Sequence, residues 1–199
     1  MTFSTYSTMK IYDITRSLDN LNVYSGDPKP QYNKISDISK GHEYNITQLD
    51  FCLHNSTHID APKHVFDDGL SVSDMPIETF VGECFVLQLS SEDDVNCLKR
   101  ISHNCKRILI KGNTAIDINL ATAMSELDVC LVGTELASVG GQDDILAVHK
   151  QLLQNNIAIL ENIDLRAVPE GAYFLSTAPI KVVDSEAAPV RALLIKMEE

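Results

Sequence analysis

The pattern of apolar and polar positions changes rhythm near the middle of the chain. In the first half, short runs alternate apolar with polar residues, the period-2 signature of strands that bury one face. Lys10 to Ile14, a segment near Tyr44 to His54, and Glu83 to Leu89 read this way. In the second of these, Leu49, Phe51 and Leu53 form the row expected to be buried. Between the first two lies the richest turn region, Tyr24-Ser-Gly-Asp-Pro-Lys-Pro30, whose Gly and Pro residues fix tight backbone conformations.

The second half alternates strands with helices. Arg107 to Lys111 and Val129 to Val132 are strand-like, and Asn119 to Leu127 between them predicts a helix with Asp117 as its N-terminal cap. Gly140-Gly141 reads as a turn, since no phosphate-cradling glycine pattern follows it. Asp143 to Asn155 then carries Ile145, Leu146, Val148, Leu152 and Leu153 at helical spacing, and Ile157 to Leu160 returns to a strand. This order implies right-handed crossovers and a partly parallel sheet. Ala172 to Val183 and Val190 to Lys196 add two final strands. The expected class is mixed α/β with a β-rich first half. No linker, repeat or low-complexity block divides residues 1–199, so one domain is expected.

Composition narrows the partners. With 199 residues, 44% of them hydrophobic, the chain can bury a sizeable core. Sixteen basic residues against 28 acidic ones give a net charge of -12, which repels phosphate backbones and anionic lipid surfaces. Nucleic acid and membranes are therefore not expected as partners. No apolar run approaches the ~20 residues that cross a bilayer. The start has neither a basic nor an apolar leader pattern. Five cysteines without a C-x-x-C pair point to reduced thiols in a cytoplasm.

The candidate chemistry lies in His54-Asn-Ser-Thr-His-Ile-Asp-Ala-Pro-Lys-His64. Three imidazoles and a carboxylate at this spacing suit a divalent metal, because ligands close in sequence cost little chain entropy to gather. His58 and Asp60, two residues apart, share one side of an extended segment, and His54 can meet them if the chain turns at Ser56-Thr57. His64 is then a nearby proton carrier. Far along the chain, His149 falls on the buried stripe of its helix, and Glu161 leaves the apolar strand Ile157-Ala-Ile-Leu160 at its C-terminal end. That edge of an open α/β sheet is where ligands bind. Cys52 reads as a small buried hydrophobe, and the isolated His42 and His103 as solvated.

These residues resemble the cyclase or kynurenine formamidase family of metal-dependent hydrolases, whose signature is H-x-G-T-H-x-D-x-P-x-H. The similarity extends to Tyr12-Asp13-Ile14-Thr15, Gly26-Asp27-Pro28, Phe80-Val81-Gly82, Leu131-Val-Gly-Thr134, Glu161-Asn162 and Ala188-Pro189-Val190-Arg191. The resemblance implies a mixed β and α fold with a barrel-like sheet and flanking helices, and association as homodimers or homotetramers. It implies two divalent metal ions, zinc foremost, with manganese or iron as alternatives. By position His54, His58 and Asp60 would hold one, and Asp60, His149 and Glu161 the second, with Asp60 or Glu161 bridging. His64 would be the catalytic proton carrier. The implied reaction is hydrolysis of N-formylkynurenine to kynurenine and formate. Hydrolysis of another small amide, lactone or ester, or a retired metal-binding protein, are the alternatives. The chain departs from the family pattern where Tyr24-Ser25 replaces a Trp-Pro pair, leaving Tyr24 as the expected substrate platform. Ser56 stands in place of a glycine, and Glu135 to Gly141 in place of an Asp and a Ser-Val-Asp run.

Overall fold

The computed structural model describes residues 8–18, 26–89, 94–103 and 105–197. In chain order, β1 (Met9–Asp13), β2 (Gln31–Ser36), β3 (Ile46–Asp50), β4 (His58–Asp60) and β5 (Val81–Gln88) come first. Next α1 (Asp94–Ser102), β6 (Arg107–Lys111), α2 (Ile118–Glu126), β7 (Leu131–Thr134), α3 (Ile145–Leu153) and β8 (Ala158–Glu161) alternate. Then follow β9 (Gly171–Ser176), β10 (Ala187–Pro189) and β11 (Leu193–Met197).

Nine strands form one sheet in the order β1-β11-β9-β5-β6-β7-β8-β4-β10, curled into a half-barrel. Strands β5 to β8 are parallel neighbours joined by helical crossovers, and the strands on either side of them run antiparallel. The middle of β6 and all of β7 and β8 are buried on both faces, which explains their apolar runs. Ile108, Leu109 and Ile110 of β6 are all fully buried. Ile108 and Ile110 pack with Leu98, Met124, Val148 and Leu152 of the helices, whereas Leu109 joins Leu131, Leu160 and Ile59 on the opposite face. Asp117 caps α2 as expected, its Oδ1 accepting from the Leu120 N–H at 2.8 Å.

Several expectations are corrected. The strand near Tyr44 to His54 is confined to Ile46–Asp50, and all five of its residues are exposed. It pairs with β2 in a separate two-stranded ribbon, so the alternating row at Leu49 faces no core among the described residues. The strand expected over Ala172 to Val183 ends at Ser176. Helix α1 was not expected, because its Val95, Leu98 and Ile101 make too narrow an apolar stripe among polar neighbours. Leu98 alone of the three is fully buried. Strand β2 and the three-residue strands β4 and β10 also went unread, being too short or too polar to show a period. No helix among the described residues is long and apolar enough to cross a membrane.

The connection from β7 to α3 must pass close to the helix it enters. A Cβ added at Gly140 would lie 2.8 Å from Ile145 Cα and 3.3 Å from Val148 Cβ. Both contacts are with the first turns of α3, leaving no flexible side chain to move aside. Gly140→Ala is therefore expected to cost about 1–3 kcal/mol through overpacking. Chemical denaturation would check this, and an unchanged midpoint would show that the helix is free to shift.

Candidate metal centre

Strand β4 is the foundation of the site. Ile59 turns into the core, so the flanking His58 and Asp60 project together from the other face. Their neighbour in the sheet is β8, and the register sets His58 directly opposite Glu161. His54 lies in the turn that enters β4, and His64 in the single turn Pro62–His64 that leaves it, with proline in its first positions. Helix α3 brings in His149 beside the buried Val148 and Leu152. All six expected residues line one cavity of about 270 Å³. Tyr24, the expected substrate platform, lies outside the described residues.

The nitrogens and oxygens converge. His54 Nδ1 is 3.0 Å and His58 Nε2 3.3 Å from Asp60 Oδ1. His58 Nε2 is also 3.5 Å from Glu161 Oε2. His149 Nε2 lies 3.4 Å from Glu161 Oε1 and 3.8 Å from Asp60 Oδ2. His58, Asp60, His149 and Glu161 are each at most 4% exposed. Even so, His58 Nε2 and both Asp60 oxygens complete no hydrogen bond. Buried polar atoms are nearly always satisfied, and these three point into one space. A cation coordinated by imidazole nitrogen and carboxylate oxygen would satisfy them together, so the donor set fits a divalent metal.

Two compact donor triplets share Asp60: His54, Asp60 and His64, and His58, Asp60 and Glu161. Asp60 thus offers a carboxylate oxygen to both groups. His64 reaches the same space as the expected ligands, its ring 4.5 Å from that of His54 and 5.7 Å from that of His149.

The outward-facing atoms are held by the scaffold. His58 Nδ1 donates to the Ser56 carbonyl at 2.9 Å, and His149 Nδ1 to the Ile145 carbonyl at 2.8 Å. Each bond fixes the tautomer that turns Nε2 inward. Glu161 Oε1 accepts from the Val139 N–H at 2.8 Å. Ser56 itself has φ 59°, the left-handed conformation that favours glycine. Its Oγ donates to the Arg16 carbonyl at 2.5 Å, compensating part of that cost.

Electrostatics separate His64 from the other imidazoles. Burial opposes a charge on His58, but Asp60 and Glu161 outweigh it and raise the pKa to about 9. His54 and His149 are raised in the same way, against burial, by Asp60 and by Glu161 respectively. Asp60 is held well below the usual carboxylate range: burial would raise it, yet His58 and His54 prevail. His64 alone is lowered, by desolvation and by the neighbouring His54 and His149, although Asp60 opposes this. It meets solvent at the cavity edge and favours its neutral form.

A family model, Putative cyclase, matches residues 12–139. The chain belongs to this cyclase family. Among its relatives, the kynurenine formamidase of Erythrobacter litoralis is 30% identical over 97% of each chain. That of Bacillus anthracis is 31% identical over 94% of this chain and 98% of its own. In three dimensions the cyclase-family fold is shared with a predicted metal-dependent hydrolase from Bacillus stearothermophilus. The TM-score is 0.75 and the identity 26%, with 94% of this chain and 98% of that one covered.

Three features of this cyclase-family site were not read as functional in the sequence. Asp27 lines the cavity, from a turn recognised only as a turn. Val65, Ile145 and Leu146 form apolar wall, although Ile145 and Leu146 were read only as helix-stripe residues. Glu186 approaches His54 to 3.5 Å from a distant segment that carries no local signal of chemistry.

Two outcomes follow from this geometry. Since His58 holds a proton up to pH about 9 in the folded chain, metal uptake must displace it. Apparent metal affinity should rise from pH 6.5 towards about 9, with proton release measurable by calorimetry in buffers of different ionisation enthalpy. The sign is opposite for the metal-free fold: the stabilisation from His58 is complete below pH 6.5 and fades as pH rises through about 9. Ser56→Ala should lose about 1 kcal/mol with the Oγ bond, whereas Ser56→Gly should stay near the parent because relief of the left-handed strain offsets that loss. Thermal denaturation of both variants distinguishes these effects.

Proposed function

We propose that the chain is a divalent-metal-dependent hydrolase of a small aryl amide, of the kynurenine formamidase type, converting N-formylkynurenine to kynurenine and formate. The observation that carries the reading is the convergence of His58 Nε2 and both Asp60 oxygens, buried and without hydrogen bonds, on the wall of one cavity. Relatives named kynurenine formamidase along nearly the whole chain support the substrate class. In this reading two ions, zinc foremost, are held by His54, His58, Asp60, His149 and Glu161, with Asp60 shared.

Metal ions in such a site acidify water and polarise a carbonyl. The remaining work falls to the chain. Val65, Ile145 and Leu146 offer an apolar wall to an aryl ring and exclude water behind it. Asp27 supplies a carboxylate for the α-ammonium group of an amino-acid substrate. A volume of about 270 Å³ lies just below the ~300–1,000 Å³ common for small-molecule pockets, so a compact substrate is favoured. His64, neutral at the cavity edge, takes a proton as the water attacks and returns it to the departing nitrogen.

The setting we infer is cytoplasmic, with all five cysteines free. We also infer assembly as a homodimer or homotetramer. An isolated two-stranded ribbon is marginal in water, and the one here leaves Tyr32, Ile35, Ile46 and Leu49 exposed. A second copy would bury that apolar area.

The test is formate release from N-formylkynurenine by metal-loaded protein, run beside a panel of aryl amides and lactones. Turnover of the panel without turnover of N-formylkynurenine would remove this substrate and keep the hydrolase. His64→Ala should lower kcat by about 10²–10⁴-fold while elemental analysis finds the metal content unchanged. Loss of metal from that variant would instead make His64 a ligand.

A further inference from the structure

The imidazoles of the site differ in how their outer nitrogens are held. Backbone carbonyls hold His58 and His149, at Ser56 and Ile145. Among the described residues no such carbonyl holds His54. Its Nδ1 faces Asp60 at 3.0 Å, and its outer Nε2 faces the Glu186 carboxylate, with Oε1 at 3.5 Å. Glu186 does not drift freely into this place. Its carbonyl accepts from the Ala61 N–H at 2.9 Å, one residue beyond Asp60, and β10 begins at the next residue, with Ala187 paired to Asp60. The sheet register that presents Asp60 to the cavity therefore also sets the backbone of Glu186 beside it.

We propose that Glu186 is a positioning residue for the metal site, receiving the Nε2–H of His54 so that Nδ1 is presented inward as the ligand atom. The inference rests on the metal reading of the site. It assigns to a carboxylate the role that carbonyls play for the other two histidines. A carboxylate partner fixes the ring's tautomer and orientation, and it raises the basicity of the ligating nitrogen. Glu186 is 42% exposed at its side chain and lies outside the cavity lining, so its removal opens no buried space.

The experiment measures zinc affinity of the full chain by competition with a chromophoric chelator, together with thermal denaturation of the metal-free protein. Glu186→Ala should weaken binding by about 10–100-fold, the usual effect of losing such a partner, with the metal-free denaturation temperature unchanged. Glu186→Gln keeps an acceptor oxygen and should recover most of the affinity. Glu126→Ala removes an equal charge from the exposed end of α2 and should bind zinc as the parent does. Parent-like affinity in Glu186→Ala would overturn the inference and leave the metal site standing. Equal weakening in Glu126→Ala, or weakening that follows a loss of metal-free stability, would also overturn it. Failure of the parent chain to bind zinc, manganese or iron would remove the metal reading and this inference with it.

Discussion

Asp60 and Glu161 place two carboxylates out of water within reach of the same imidazole. Burying an ion costs several kcal/mol unless opposite charge and hydrogen bonds meet it, and two like charges together cost more. The local architecture answers this demand. The His58–Glu161 register brings an imidazole directly opposite one carboxylate, α3 delivers His149 between both, and the Val139 N–H takes one Glu161 oxygen. Among the buried side-chain atoms left without a hydrogen bond are His58 Nε2 and both Asp60 oxygens. An unsatisfied centre lined by imidazole nitrogen and carboxylate oxygen suits a cation.

The sheet topology explains why such a centre can be rigid. Two of its acidic or imidazole groups stand on adjacent residues of one face of β4, and the strand is gripped on both sides, by β8 and by β10. Ile59, fully buried on the opposite face, resists any one-residue slip, which would exchange the site for the core. The entry to β4 is tied down separately. Ser56 Oγ donates to the Arg16 carbonyl, Thr57 Oγ1 accepts from the Arg16 N–H, and the same hydroxyl donates to the Asn162 carbonyl next to Glu161. Thus the turn carrying His54 and the end of β8 carrying Glu161 share one set of hydrogen bonds.

Legibility in the sequence followed locality. His54 to His64 could be read because ligands within eleven residues announce their chemistry by spacing alone. His149 and Glu161 were readable for a different reason: an imidazole on a buried helical stripe and an acid ending an apolar strand are each anomalies of pattern. Glu186 is neither. It is an ordinary exposed acid until the antiparallel pairing of β10 with β4 brings it to His54, and nothing in a single sequence states that pairing. The exposed row of β3 failed for the opposite reason, since alternation reports that a face is suited to burial without naming what covers it. In α1 only Leu98 is fully buried, with Val95, Cys97 and Ile101 packed beside it, so few apolar residues stand out among its polar ones.

The contrast between His64 and its neighbours bears on how chemistry and binding are divided. Asp60 and Glu161 draw His58 towards the charged state, and a metal bound there would have to replace that proton. His64 stands outside this exchange. Its ring lies against His54 and His149, whose positive charge disfavours its own, and solvent reaches its edge. A metal cation bound nearby would act in the same direction, since it too is positive. A metal held there would thus take over from the imidazolium protons as the positive charge that keeps His64 neutral. The departures at Ser56 and at Glu135 to Gly141 leave this division intact: Ser56 still offers its carbonyl to His58, and Val139 still offers its N–H to Glu161. Both contacts are made by backbone atoms, so they do not depend on which side chains stand at Ser56 and Val139.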